Sequence, residues 1–415
     1  MKVHLFLTIG LAVGLVCLVS VLASAEPAVP QRPCDRYVLA GYAADTGDCS
    51  NVNLPCRTVQ YAIDQALDGD VVCVADDSAV AGPTIYQETI KIPRSLTLDA
   101  KWEATCSPLF PQCSFEAVAC QPENVVLDAR GNGRVITIQG RYAPTIDCFT
   151  ITGGDAAGQG GDPGETVDND AGGGIYGRDA APIIINNVIT GNYGCDLCPA
   201  SYGRGGGIYL LNAPATAVIS GNLIARNVAD DSTWGEGGGI MLRDSAAQVR
   251  HNVIQDNRAG LSAGDGGGIA VKGGTPTLAD NEILHNMAGQ SVMGLGGGIF
   301  VWSATPATIE RNRIEFNQAI RNEGDLVSRG GGIYYAGNPT VAAVIRDNTL
   351  YANTASPISP AGWGGGIYVS GLVAPSLLSG NTLDTNYAGF NDDGRGGRPL
   401  RGPQRGDDLG QRLPG

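Results

Sequence analysis

From Gly172 to Asn386 the apolar positions recur in blocks of about thirty residues, far longer than the period of a single helix or strand. Each block opens on three glycines and an isoleucine, beginning at Gly172, Gly205, Gly237, Gly266, Gly296, Gly330 and Gly364, with periods of 33, 32, 29, 30, 34 and 34. A second element follows in every block, aliphatic-x-x-Asn-x-aliphatic-x-x-Asn. Its paired asparagines are Asn187/Asn192, Asn222/Asn227, Asn252/Asn257, Asn281/Asn286, Asn312/Asn317, Asn348/Asn353 and Asn381/Asn386. Three short alternating stretches fill a block, shown in the second by residues 207–210, 217–220 and 223–225. Such stretches are too short to pair with one another across tight corners. They can pair with their equivalents one block later, at about 4.8 Å per coil, which predicts three parallel sheets around a narrow core. Several glycines and β-branched residues in each block, usually with a proline, exclude helical repeats. A propeller blade needs about 40–45 residues, more than any block holds.

The fold expected is therefore all-β: a right-handed parallel β-helix, or solenoid, with a short N-terminal capping helix. The asparagines are expected at its corners, adopting the left-handed conformation and hydrogen-bonding from coil to coil. Ahead of the repeats, Val59, Ala62, Ile63, Ala66 and Leu67 space like one face of a helix over residues 57–67. Alternating stretches follow at residues 71–74, 89–98, 125–127, 135–138 and 145–152. The helix would cover the open end of the first coil. Residues 26–154 thus read as a Cys-rich cap and first coils, 155–390 as the seven-repeat body, and 391–415 as a disordered or truncated tail rich in Arg, Gly and Pro.

Composition sharpens this reading. The chain has 61 glycines, and 21 of them lie in the triplets, so they are punctuation and not low complexity. A net charge of −14 excludes nucleic acid as a natural partner. Residues 1–25 read as a signal peptide: Lys2 precedes an apolar run, and Ala23-Ser24-Ala25 fits the cleavage rule. The expected location is extracellular or at the cell surface, with no membrane insertion after cleavage. Removing Cys17 with that segment leaves ten cysteines, an even number that reads as disulfides in an exported protein. Cys49 and Cys56 bracket a loop that can close on itself, and Cys195-x-x-Cys198 favours a local disulfide over zinc.

Three stretches resemble the entry into the first coils of the pectin-lyase-like, right-handed β-helix superfamily: Pro55-Cys56-Arg57-Thr58-Val59-Gln60-Tyr61-Ala62-Ile63, Gly69-Asp70-Val71-Val72 and Tyr86-Gln87-Glu88-Thr89-Ile90-Lys91-Ile92. The likeness runs from about Cys49 to Asn386. The triplet and asparagine elements also resemble the repeats of polymorphic outer-membrane proteins, with Ile or Leu where those carry Phe. The resemblance implies the fold. It implies no single activity, because the scaffold hosts lyases, hydrolases, epimerases and adhesins.

Longer connections, such as residues 228–236 and 318–329, lie between the second asparagine and the next triplet, the place where solenoids commonly carry a binding face. In the strand after each triplet the isoleucine points inward, so the next residue points outward. That outward column reads Tyr176, Tyr209, Met241, Ala270, Phe300, Tyr334 and Tyr368. Two residues further on come Arg178, Leu211, Arg243, Lys272, Trp302, Ala336 and Ser370. Tyr176, Tyr209, Phe300, Trp302, Tyr334 and Tyr368 form a candidate stacking track for a polysaccharide, with Arg178, Arg243 and Lys272 meeting acidic sugars. The alternative is that these rings stack only on one another. Arg178, Asp179, Arg243 and Asp244 are the nearest approach to a catalytic cluster. His251 and His285 each directly precede a ladder asparagine. Asp162, Glu165, Asp168 and Asp170 crowd one loop and offer oxygen ligands to Ca²⁺, the one cofactor suggested. The function expected is non-catalytic polysaccharide binding or adhesion. The alternatives are a polyuronate lyase or glycoside hydrolase, and a structural surface protein.

Overall fold

In the computed structural model the described residues are 33–42, 44–107, 112–163, 168–198, 202–303, 306–321, 327–337, 343–357, 362–371, 376–389 and 409–411. The expected signal segment, residues 1–25, lies outside them. They build a parallel β-solenoid with one α-helix, α1 (Val59–Gln65). Successive triplet isoleucines are direct partners in register: Ile175 with Ile208, then Ile240, Ile269, Ile299, Ile333 and Ile367. Each block is thus one coil.

The three expected sheets are present. Sheet 1 contains the strands that follow the triplets, such as Ile208–Leu211, and has ten strands. Sheet 2 contains strands such as Val218–Ser220 and has twelve, among them Cys113–Ala117 as an antiparallel addition. Sheet 3 contains strands such as Leu223–Ala225 and has ten. Their inward residues make one continuous apolar core from Val38 to Val369. α1 buries Val59, Ala62 and Ile63 against the first coil, as the spacing predicts, and the Thr58 side chain caps it by accepting from the Tyr61 N–H.

Two expectations about the coils need correction. First, there is a fourth sheet of eight strands immediately before the triplets, including Gly203–Arg204, Trp234–Glu236, Ala263–Asp265 and Met293–Leu295. The long connections are therefore stacked like the rest of the coil. The chain leaves the second asparagine along short segments such as Val228–Asp230, turns, and returns along sheet 4. Second, the left-handed conformation belongs to the residue before each asparagine. Before the first asparagine it falls on Asn186, Gly221, His251, Asp280, Arg311, Asp347 and Gly380; before the second, on Gly191, Arg226, Asp256, His285, Phe316, Ala352 and Thr385.

The asparagines do hydrogen-bond from coil to coil. Asn222 Nδ2 donates to the Ile184 carbonyl of the preceding coil (2.9 Å) and to Asn252 Oδ1 of the next (2.9 Å), while the Asn222 N–H donates to the same Oδ1 (3.0 Å). Five residues on, Asn227 repeats the pattern with Ile189 and Asn257. Both ladders run unbroken to Asn381 and Asn386. A side chain that donates twice and accepts twice is the group such a dry corner requires.

The three glycines of a triplet are fixed by three different contacts. Gly205 has φ +59°; a Cβ on Gly206 would lie 2.3 Å from the Val228 carbonyl oxygen; and one on Gly207 would lie 2.6 Å from the Gly239 carbonyl oxygen and 3.0 Å from Asn227 Nδ2. Five disulfides, Cys34–Cys73, Cys49–Cys56, Cys106–Cys113, Cys120–Cys148 and Cys195–Cys198, use all ten cysteines of the described residues, including both pairs expected from spacing. Within residues 391–415, Leu409–Gln411 pairs as a strand of sheet 1 with Ile367–Val369. The remainder of residues 391–415 lies outside the described residues.

Candidate functional site

Sheet 4 folds over the outer face of sheet 1, and this decides where a ligand can reach. Tyr176, Tyr209, Phe300, Tyr334 and Tyr368 do point away from the central core, but they are buried in a second apolar layer with Met241, Ala270, Leu211, and Ala171 and Leu295 of sheet 4. The rings stack on one another: Tyr176 on Tyr209 at 5.6 Å, Phe300 on Tyr334 at 5.2 Å and Tyr334 on Tyr368 at 5.3 Å. This is the arrangement foreseen as the alternative to a stacking track. Of the six track residues only Trp302 is exposed, at 60%.

Where the stack is interrupted by Met241 and Ala270, charged groups fill the space between the two sheets. Asp162 is fully buried. Arg204 Nε approaches it at 2.7 Å, Arg243 Nη1 lies 2.7 and 2.8 Å from its two oxygens, and the Tyr209 hydroxyl donates to it. Burial, with Asp162 beside it, pushes the Tyr209 phenol up. Glu236 pairs with Arg204 and Lys272. Asp265, the next rung after Glu236 in sheet 4, is 3% exposed, and its Oδ1 has no hydrogen-bond partner among the described residues. Burial, with the Glu236 carboxylate adding, pushes Asp265 up to about 8.

Of the loop carboxylates proposed for Ca²⁺, Asp162 and Asp170 do not converge. Asp162 faces Asn169 and Asp170 faces Gly161 across an antiparallel pair, which puts the two side chains on opposite faces. Asp170 accepts from the Gly160 N–H at 2.7 Å and approaches Cys198 Sγ at 3.5 Å, on the side of the disulfide. Asp170, Cys195 and Cys198 have the spacing of a metal cluster, but the two sulfurs are bonded to each other. Glu165 and the Asp168 side chain lie outside the described residues.

The catalytic candidates also separate. Arg178 and Arg243 are two coils apart in sheet 1, and Arg243 is committed to Asp162. Arg178 and Asp179 pair with each other at 3.5 Å, both half-exposed. Asp244 has φ +48° at the corner that Asp179 occupies two coils earlier. That corner, between sheets 1 and 2, holds an open groove of about 770 Å³. It is lined by Gly140, Arg141, Tyr142, Asp179, Asn212 and Pro214 among others. Asn212 Nδ2 donates to Asp179 Oδ1 at 2.9 Å across its floor. The groove crosses three coils, and Arg178 stands beside it at the end of the preceding strand.

The sequence matches the model of the right-handed β-helix region over residues 130–314 and 264–398, together more than half of the chain. The chain belongs to the right-handed β-helix family. Among curated proteins nothing matches its sequence. A solved structure with a similar trace is described as the complex structure of XylC with xylose, at 11% identity and TM-score 0.35, covering 84% of this chain and 69% of that chain.

Sequence reasoning missed the fourth sheet of this β-helix, although a signal for it exists. An alanine stands two residues after the second asparagine in six blocks: Ala229, Ala259, Ala288, Ala319, Ala355 and Ala388. A small residue stands two before most triplets: Gly203, Gly235, Gly264, Gly294, Ser328 and Gly362. These positions face each other. A Cβ on Gly235 would lie 1.9 Å from the Ala259 carbonyl oxygen, so the outgoing and returning segments are too close for any larger side chain. Groove residues Arg141, Tyr142 and Asn212 carried no repeat signal.

Proposed function

We propose that this β-helix is an exported polysaccharide-binding protein whose contact surface is the groove between sheets 1 and 2. The groove itself carries the reading. Its volume lies in the range of ligand sites, about 300–1,000 Å³, and it offers an aromatic side chain, an arginine, a carboxylate and an amide across consecutive coils. A coil rises about 4.8 Å, close to one sugar ring in an extended chain, so equivalent corners can meet successive residues of a glycan. Five disulfides favour an oxidising compartment, in keeping with export.

Affinity electrophoresis against a panel of neutral and acidic polysaccharides, with and without Ca²⁺, tests this. At least one polysaccharide should retard the protein, and Arg141→Ala and Asn212→Ala should each weaken that retardation about tenfold, the loss expected for one desolvated hydrogen-bonding contact. No retardation by any polysaccharide would end the proposal and favour a structural role.

A second reading, a carbohydrate-active enzyme, draws on Arg178 and Asp179, a half-exposed pair at the groove. New reducing or unsaturated ends in the same incubations, lost in Asp179→Asn, would favour the enzyme. Retardation without turnover is the result expected here.

A further inference from the structure

We propose a second glycan-contacting site, a platform for neutral pyranose chains at the corner after sheet 3, formed by His285, Phe316 and Tyr351. The His285 and Phe316 rings stack in parallel with centroids 5.0 Å apart, and Tyr351 meets Phe316 edge-on at 5.4 Å. All three are exposed, Phe316 at 41% and Tyr351 at 37%. They lie two corners away from the groove, and the proposal does not rest on it.

The backbone at two of these positions is fixed by the coil stack. His285 and Phe316 occupy the left-handed position before the second asparagine, at φ +54° and +55°. The stack imposes this conformation on every coil, because N–H groups at this position bond to the next coil, His285 to the Glu315 carbonyl (3.1 Å) and Phe316 to the Tyr351 carbonyl (3.0 Å). Glycine, asparagine or aspartate fills such a position at least cost, and the column holds Gly191 and Asp256 but also Arg226, Ala352 and Thr385. A phenylalanine there is unfavourable twice, in its backbone and in its exposed ring. What calls for a role is the ring itself, an apolar group left 41% exposed beside two other exposed rings.

The surroundings select the ligand. Arg313 clamps Glu315 with Nε at 2.9 Å and Nη2 at 2.7 Å, and reaches Glu282 with Nη1 at 2.9 Å. The arginine is therefore committed, and these three charges sum to −1, which disfavours uronates, sulfates and phosphates. A protein partner would need about 800 Å² of this face, far more than three half-exposed rings offer. A strip of rings at one per coil suits the apolar faces of adjacent pyranoses, with the imidazole and phenol bonding their hydroxyls.

The deciding variant is Phe316→Gly, which removes the ring and relieves the backbone. Xylan, galactomannan and hydroxyethylcellulose serve as probes in affinity gels, with polygalacturonate as the acidic control, and thermal melting is recorded in parallel. Arg141→Ala is carried alongside so that loss at the groove is separable from loss at the platform. The expected result is that Phe316→Gly melts no lower than the wild type yet loses at least tenfold in retention of a neutral polysaccharide still held by Arg141→Ala. The platform is overturned by any other result: no neutral polysaccharide held by either protein, retention unchanged in Phe316→Gly, or lost retention together with a lower melting temperature.

Discussion

A buried asparagine in this molecule has two neighbours of its own kind, and its worth comes from satisfying backbone in both directions. Removing the Asn252 side chain deletes donors to the Ile219 carbonyl and Asn281 Oδ1 and an acceptor for the Asn222 N–H, all inside a dry corner. Asn252→Ala should cost about 3 kcal/mol, the sum expected for unsatisfied buried groups of this kind, read as a lowered urea midpoint; a loss below about 0.5 kcal/mol would mean that the ladder adds little. Asp265 makes a different residue-scale prediction. Its folded-state pKa, about 8, lies above the ordinary carboxylate value of 3.8. The folded state therefore holds a proton that the unfolded chain has lost, and stability falls as pH rises from about 4 to about 8, then levels. Asp265→Asn removes that slope. Its melting temperature should match the wild type near pH 4 and exceed it above pH 8, and equal melting at both pH values would contradict the assignment.

At the scale of elements, alternation and spacing made sheets 1 to 3 and α1 legible, because a strand with one buried face announces itself in its apolar period. Sheet 4 was not legible in that way. Its strands are two to four residues long, and the middle residue of each three-residue strand before a triplet is glycine or serine, so no apolar alternation can show. The signal that existed was one of size, the recurring alanine and glycine at facing positions. Missing sheet 4 reversed the reading of the aromatic column: the residues and their direction were right, but a layer covers them. The two layers are tied by ions, and the tie should be measurable. Asp162→Ala would leave Arg204 and Arg243 without their shared carboxylate and should cost about 3–5 kcal/mol, as removal of one partner from a buried pair does. Chemical denaturation checks it, and a change within about 0.5 kcal/mol would show that the pairs are not formed between the sheets.

Across the whole coil stack, nearest-neighbour contacts carry the stability, so ligand-contacting residues are free to differ from coil to coil. That freedom explains why the fold was readable and the groove was not. Ladder asparagines and triplet glycines recur because every coil needs them, whereas Arg141, Tyr142, Phe316 and Tyr351 each occur once and leave no period to detect. Function on this scaffold then depends on which aromatic side chains water can reach. Hydroxyl-radical footprinting of the native protein, read by mass spectrometry, measures that directly. Trp302, Phe316, Tyr351 and Trp363 should be oxidised readily, while Tyr176, Tyr209, Phe300, Tyr334 and Tyr368 stay protected until the protein is denatured. Oxidation of Tyr209 and Tyr334 at the rate of Tyr351 would show that sheet 4 does not cover sheet 1, and would return the binding surface to the aromatic column.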